Sequence, residues 1–152
     1  MNTPRIDPKD YMFAGVTGIA GASPSSMSLT EAAVVILPQY QRTHVQTHAS
    51  GLILKYTLDP TDAGGLGLRK CTWTCNSLNV KSQAASLRMG FKFEGFTRYD
   101  AVLPSGKEGA RDGRPGDKED SRGRDTWQGS ILWDEWEHGV SKHVENLMAR
   151  RQ

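Results

Sequence analysis

The stretch of sequence that decides the fold runs from residue 33 to residue 49 and reads AVVILPQYQRTHVQTHA. Its first five residues are apolar and are followed by Pro38, which lacks a backbone N–H and therefore ends a central strand. Thr43 is a favoured residue for the cap at the start of a helix. From Val45 to Tyr56, apolar residues recur at spacings of three and four. The stretch predicts a buried strand, a short loop and an amphipathic helix that ends at Asp59-Pro60.

Two apolar runs upstream surround a Ser/Pro-rich turn at residues 23–26, a pattern typical of a β-hairpin. The first run covers Tyr11 to Ala20 and the second covers Met27 to Leu37. The second run has too few polar residues for a half-exposed strand. It therefore predicts a central strand buried on both faces.

The downstream sequence alternates strand and helix patterns. β-branched and aromatic residues predict strands, Gly95 inside one of them predicts a bulge, and Gly90 stands where a helix commonly stops. The predicted elements are a strand from Leu68 to Leu78, a helix from Val80 to Met89, a strand from Phe91 to Leu103, a strand from Asp125 to Trp133 and a helix from Trp136 to Arg150. The order β-β-α-β-α-β-β-α indicates an α/β fold with a mixed sheet.

Residues 1–152 fit a single domain, with an ordered core over residues 11–103 and 125–152. Residues 104–124 differ in kind, because they are rich in charges and glycines and hold hardly any apolar side chains. Such a segment buries too little apolar surface to offset its ordering entropy. We therefore predict a flexible charged insert, a solvated loop between two strands, although a contact surface for another protein stays open.

The net charge, the lengths of the apolar runs and the cysteine count exclude several classes of protein. The net charge of +2 is too small to indicate nucleic acid or an anionic membrane as a partner. No apolar run approaches the roughly 18 residues of a membrane span, and the N-terminus lacks the apolar segment of a signal peptide. Two cysteines are too few for a disulfide framework. These features predict a cytoplasmic protein.

Histidines and cysteines raise the possibility of a metal site. His44 and His48 share one helix face, and Cys71 and Cys75 share one strand face. Along a strand, however, the two sulfurs lie about 13 Å apart, too far to share one metal. We expect buried, unreactive thiols and no metal.

The strand, loop and helix around Pro38 form a potential anion site, because unpaired N–H groups and the helix dipole converge at the start of a helix. The segment from Pro38 to Ala49 resembles the donor-binding segment of the GCN5-related N-acetyltransferases (GNAT). Asn79 with Ser82, then the run Arg88-Met89-Gly90-Phe91, and then Glu94-Gly95 resemble the later signature of the ribosomal-protein N-acetyltransferase (RimJ/RimL-like) branch. The ending, from Arg124 to Trp136, is also similar to that branch.

The resemblance implies a GNAT-like fold with a mixed, mostly antiparallel sheet flanked by helices. It also implies acetyl transfer from acetyl-CoA to a primary amine of a small molecule or a protein N-terminus. The central strands would splay at the start of the helix to admit the donor's pantetheine, which Asn79 would contact. The pyrophosphate would lie on backbone amides of Arg42, Thr43, His44, Val45, Gln46 and Thr47.

The resemblance assigns the catalytic roles to Glu31 and Ser82. Glu31 would be the base, or would position a water that is the base, and Ser82 would be the acid toward the departing thiolate. A carboxylate and a hydroxyl on adjacent elements suit this chemistry. Alternatives remain for all three polar residues: Glu31 could face solvent, Ser82 could cap a helix, and Asn79 could simply form a turn.

The sequence departs from the family pattern in two places. His44 and Gln46 replace glycines of the donor motif, and their side chains could obstruct a diphosphate unless they turn outward or His44 donates to phosphate. Members of the family also carry a strand, two helices and another strand ahead of this hairpin, where only Pro4 to Asp7 could form the end of a strand. The alternative function is therefore a non-catalytic or partner-dependent subunit, and the uncovered edge suggests a possible homodimer.

Overall fold

A computed structural model describes residues 11–117 and 121–150. The predicted strand end from Pro4 to Asp7 lies outside these residues. Five strands and three main helices follow one another in the predicted order. They are β1 (Gly15–Ser23), β2 (Ser28–Ile36), α1 (His44–Leu58), β3 (Lys70–Asn76), α2 (Val80–Arg88), β4 (Lys92–Val102), β5 (Gly123–Leu132) and α3 (Ser141–Ala149).

The five strands form one mixed sheet in the order β1-β2-β3-β5-β4. Only the β2–β3 pair is parallel, and the other three pairs are antiparallel. α1 packs on β1, β2, β3 and α3, while α2 packs on β3. The predicted α/β class, with a mostly antiparallel sheet flanked by helices, is confirmed.

The parallel strands β2 and β3 pair over only part of their length. Ser28 to Glu31 pair with Lys70 to Trp73, and beyond that point β2 pairs only with β1 while β3 pairs only with β5. A bulge accompanies the separation, because the β1–β2 register shifts between Val16 and Gly18 and Ala33 has a φ of 52°. The two central strands therefore splay apart just where α1 begins.

The core lies between the sheet and the helices. Leu54 of α1, Cys71 of β3, Ile131 of β5 and Val144 of α3 are all completely buried. The indole of Trp136, also buried, donates a 2.8 Å hydrogen bond to Asp59 Oδ1 just after α1. This bond satisfies the single N–H of an indole taken out of water.

The end of α2 confirms the predicted helix stop. Gly90 has a φ of 101°, and its N–H donates to the Leu87 carbonyl at 3.0 Å while the Phe91 N–H donates to the Ser86 carbonyl at 3.1 Å. These two bonds form a Schellman motif, in which glycine accepts the left-handed conformation without strain.

Three expectations need correction. β2 is central, but it is not buried on both faces: Leu29 and Glu31 are buried while Val35 is 55% exposed. The final helix is not continuous from Trp136 to Arg150, because Gly139 with a φ of 145° separates a π-helical turn from α3. The last strand begins at Gly123 rather than Asp125.

The described part of the charged insert is tied to the sheet. Leu103 N donates to the Arg122 carbonyl at 2.8 Å, and Arg111 pairs with Gly123 through backbone bonds of 2.9 and 3.1 Å. The Arg111 guanidinium also binds Asp125 through both Nε and Nη2. The flexibility of residues 104–124 stays a prediction.

Candidate functional site

The gap between the splayed strands is the mouth of a cavity of about 540 Å³. The second half of β2, the start of α1, the middle of β3 and the first two turns of α2 surround it. Its lining residues are Val34, Ile36, Gln41, Arg42, Gln46, Trp73, Asn79, Lys81, Ser82, Ala84 and Ala85. β2 contributes the apolar Val34 and Ile36 to this lining, and α2 contributes the small Ala84 and Ala85.

A second cavity of about 700 Å³ shares part of this lining, including Arg42 and Lys81. Around the N-terminus of α1 it gathers basic side chains from three elements. They are Arg42, His44, Lys81, Arg88, His143 and Arg150. Among the described residues that line either cavity there is no carboxylate, so the combined surface favours an anion.

The first turn of α1 points its N–H groups at these cavities. Thr43 caps the helix as predicted, accepting from Val45 N at 3.4 Å and donating to the Tyr40 carbonyl at 2.6 Å. The left-handed residue of the loop is Arg42, with a φ of 63°. His44 and Gln46 lie in α1 itself, so replacing the motif's glycines with them places no strain on the backbone.

Both replacing side chains have partners of their own. Gln46 accepts from Arg88 Nη2 at 2.6 Å and donates to Ser50 Oγ at 2.9 Å. The His44 ring packs edge-on against His48, with 5.1 Å between the ring centroids. Gln46 nevertheless forms part of the wall of the first cavity.

Ser82 and Asn79 lie together at the β3 side of the first cavity. Asn79 Oδ1 accepts from Ser82 N at 3.1 Å and thereby caps α2. The Ser82 hydroxyl accepts from Trp73 Nε1 at 3.0 Å. Because the indole N–H occupies one lone pair, the hydroxyl proton of Ser82 remains able to donate. The alternative that Ser82 itself caps α2 is wrong, since the cap is Asn79.

Glu31 is buried to 1% exposure, so the alternative of a solvent-facing glutamate is wrong. Its Oε1 accepts from Ser50 at 2.5 Å and from Thr17 at 3.5 Å, while Oε2 has no partner within the described part of the chain. Burial raises the pKa of the Glu31 carboxyl to about 7, although the bonds from Ser50 and Thr17 lower it. Glu31 lies where the strands part, paired with Trp73, which lines the cavity, while Glu31 itself is not in the lining.

The two cysteines are buried thiols. Burial raises the pKa of Cys71 to about 12 and also raises that of Cys75, which keeps both in the unreactive protonated form. In residues 11–117 and 121–150, no group of three or more histidine, cysteine or acidic side chains could hold a metal ion. No helix in those ranges is long and apolar enough to cross a membrane.

The structure thus brings most of the predicted site residues together. Arg42, Gln46, Asn79 and Ser82 line the first cavity, and Thr43, His44 and Thr47 line the second with Arg42. Glu31 and Val45 are absent from both described linings. Lys81 and Arg88 are site residues that the sequence patterns did not predict, although with Ala84 and Ala85 they recur at helical spacing and indicate one face of α2.

No protein-family model and no curated protein sequence matches the chain. Several solved structures do match the chain. A GCN5-related N-acetyltransferase from Brucella melitensis is 26% identical with a TM-score of 0.71, over 90% of this chain and 52% of that one. A probable acetyltransferase of the GNAT family from Chromobacterium violaceum is 31% identical with a TM-score of 0.61, over 80% and 50%.

A variant of the spermidine N-acetyltransferase from Vibrio cholerae is 16% identical with a TM-score of 0.59, over 81% of this chain and 60% of that one. At this identity the likeness concerns the fold alone. The chain has the general GNAT fold, and it spans about half the length of the first two structures.

Proposed function

We propose that this chain transfers an acetyl group from acetyl-CoA to a primary amine of a small molecule or a protein N-terminus. The observation that carries the proposal is the cavity between the splayed strands β2 and β3, continuous with a basic surface at the N-terminus of α1. An acyl-CoA has two matching parts, because its thin, mostly uncharged pantetheine arm leads to a negatively charged diphosphate. The RimJ/RimL-like motifs around Asn79 and Gly90 favour that branch of the family.

The residues present fit this donor. The diphosphate would lie at the first turn of α1, where the amides from Arg42 to Thr47 and the helix dipole favour negative charge. Lys81 and Arg88 face the same cavity from α2. The pantetheine arm would follow the first cavity past Asn79, which lines it together with the apolar Val34 and Ile36.

The acetyl transfer needs two proton movements, and we assign them to Ser82 and Glu31. The Ser82 hydroxyl would donate its proton to the departing sulfur and would regain one from water. Glu31 would accept the amine's proton through a water molecule, since its carboxylate is not part of the cavity lining, and would return the proton to solvent. A pKa of about 7 suits a base that works at neutral pH.

Calorimetric titration with acetyl-CoA tests the donor assignment. We expect saturable binding by the wild-type chain, and a large loss of affinity when Arg42→Ala is combined with Asn79→Ala. The matched control is Arg69→Ala with Asn76→Ala, because neither residue lines the two cavities. Equal affinity in the Arg42/Asn79 variant would move the donor site elsewhere.

Acetylation of a panel of primary amines, including spermidine and short peptides, tests turnover. The panel covers small-molecule amines and peptide N-termini as acceptors. Release of the free thiol of CoA measures the rate of acetyl transfer. If the chain binds acetyl-CoA but produces no thiol above the uncatalysed rate, the transferase proposal fails. A Glu31→Gln variant that is as fast as the wild type would remove the base assignment alone.

A specific observation also favours the partner-dependent alternative, with a second copy of this chain as the partner. β1 is an edge strand with exposed Val16 and Ile19, and residues 11–41 carry a single charge, the buried Glu31. Native edge strands are usually protected by charges or proline, and two neutral edges can pair without repulsion. Light scattering of the wild type and Ile19→Lys tests this, since a monomeric wild type would exclude the homodimer.

A further inference from the structure

Arg88 connects the two helices that border the donor cavity. It is the last residue of α2, and its guanidinium donates to two residues in the first turn of α1. Nη1 binds Thr47 Oγ1 at 2.9 Å and Nη2 binds Gln46 Oε1 at 2.6 Å. A fork of this kind fixes both the distance and the orientation of the groups it holds.

The connection continues from Gln46 into the sheet. Gln46 Nε2 donates to Ser50 Oγ at 2.9 Å, and Ser50 Oγ donates to Glu31 Oε1 at 2.5 Å. Every bond from Arg88 to Glu31 is donated in the same direction, from the guanidinium toward the carboxyl group. Hydrogen bonds arranged in this way polarise and strengthen one another.

The two ends of this chain of bonds differ in their freedom. Ser50, Thr47 and Glu31 are buried, so the sheet end is fixed by packing. The Arg88 end lies at the cavity surface, and the Arg88 carbonyl is held at 2.8 Å by His143 Nε2, near the start of α3. Arg88 is thus anchored through its backbone while its side chain holds α1.

We infer that Arg88 is a positioning residue for the donor site. It holds Gln46 and Thr47 so that the carboxamide of Gln46, which stands where the donor motif has a glycine, lies along the cavity wall. Without this hold, the carboxamide keeps only its bond to Ser50 and gains freedom to swing toward the amides of the first turn of α1. The inference rests on the proposed function for the identity of the molecule bound there.

Arg88→Lys is the sharpest test, since it keeps the charge and loses the fork. The probe is CoA itself, titrated calorimetrically. We expect affinity to fall about tenfold, as for the loss of about one charge-assisted hydrogen bond. The Michaelis constant for acetyl-CoA should rise by the same factor, with a smaller change in kcat and none in the Michaelis constant of the amine. Arg69→Lys, remote from both cavities, is the matched control and should bind CoA like the wild type.

A second variant distinguishes positioning from charge. Gln46→Gly removes the carboxamide that Arg88 is proposed to restrain, so Arg88→Lys should weaken CoA binding less in this background than in the wild type. Two outcomes would overturn the positioning role. Either Arg88→Lys binds CoA as tightly as the wild type, or it lowers the affinity for CoA by the same factor in the wild-type and Gln46→Gly backgrounds.

Failure of this inference is distinguishable from failure of the proposed function. A wild-type chain that binds no CoA removes the function, and hydrogen exchange then decides the positioning role without a ligand. Faster exchange of the amides from Thr47 to Ser50 in Arg88→Lys than in Arg69→Lys supports the hold on α1. Equal exchange in the two variants contradicts it.

Discussion

The indole of Trp73 donates a hydrogen bond to the hydroxyl of Ser82, with 3.0 Å between Nε1 and Oγ. Trp73 lies at the last paired position of β3 against β2, where the strands begin to part. The bond therefore ties the start of α2 to β3 at the point where β2 and β3 separate. It also fixes the position of the Ser82 oxygen. The hydroxyl keeps its proton for donation, although the buried Cys75 sulfur also lies within its reach.

We predict that Ser82→Ala lowers kcat by about a hundredfold, the low end for loss of a general acid. The Michaelis constant for acetyl-CoA should change little, because Asn79 and the first turn of α1 remain. Ser82→Thr keeps the hydroxyl and is the control. Steady-state kinetics with thiol detection measures both, and an alanine variant with the wild-type kcat would show that Ser82 has only a structural role.

Glu31 gives a prediction about pH and stability. Its pKa is raised from 4.5 to about 7 by burial, so between these values the folded state keeps a proton that the unfolded state has released. Stability therefore falls as pH rises through this window. From the size of the shift, we expect the wild type to lose about 3 kcal/mol relative to Glu31→Gln on going from pH 4.5 to pH 8.

Urea unfolding of both proteins at several pH values measures this difference. The variant keeps an acceptor for Ser50 and cannot ionise, so other titrating groups cancel in the comparison. A difference between the two proteins that does not depend on pH would contradict the raised pKa.

Much of the fold follows from short-range signals. Pro38, the Thr43 cap and the Gly90 stop each act within a few residues, and each is found as predicted. The break at Gly139 was missed, since the apolar spacing continues across it and one glycine does not reveal its φ. The local sequence pattern also could not show that one face of β2 is exposed, because the exposure of a strand depends on which elements cover the sheet.

The site was predictable only in part. Arg42 and Thr43 are consecutive in the sequence, and both line the second cavity because they lie in the same loop. Arg88 and Gln46, 42 positions apart, meet only because α1 and α2 both pack on β3. The buried Glu31 likewise accepts its hydrogen bond from Ser50, 19 positions away. Such contacts are set by tertiary structure, and no single segment contains their signal.

The ion pair between Arg111 and Asp125 gives a prediction about the charged insert. Asp125 accepts from Arg111 at 2.8 to 3.1 Å and from Tyr99 N at 2.8 Å. The Arg111 guanidinium lowers the pKa of Asp125, so the anchor is complete above the ordinary aspartate pKa and weakens as pH falls below it. We expect Asp125→Asn to release the insert, with trypsin cleavage after Arg111 about tenfold faster, because its guanidinium is then free to enter the protease.

Asp134→Asn is the control for this experiment, since Asp134 lies outside the insert. Mass spectrometry of the first cleavage products identifies the cut site. Equal cleavage rates in the wild type and Asp125→Asn would show that the insert does not depend on this anchor.

Arg42 combines backbone strain with a charge, and the two effects can be separated by mutation. Its φ of 63° lies in the left-handed region, which costs a non-glycine residue about 1 kcal/mol or more. Its side chain lines both cavities, where the proposed diphosphate would lie. We therefore expect Arg42→Gly to raise the free energy of unfolding by about 1 kcal/mol and at the same time to weaken CoA binding.

Arg42→Ala completes the comparison, because it removes the charge and keeps the strain. It should bind CoA about as weakly as the glycine variant but should be no more stable than the wild type. The affinity of the wild type should also fall more steeply with salt than that of either variant, since each lacks one cation near the phosphates. Urea unfolding and titration at two salt concentrations provide both measurements. If the glycine variant binds CoA as tightly as the wild type, the anion contact lies on the backbone amides alone and the Arg42 side chain has no part in it.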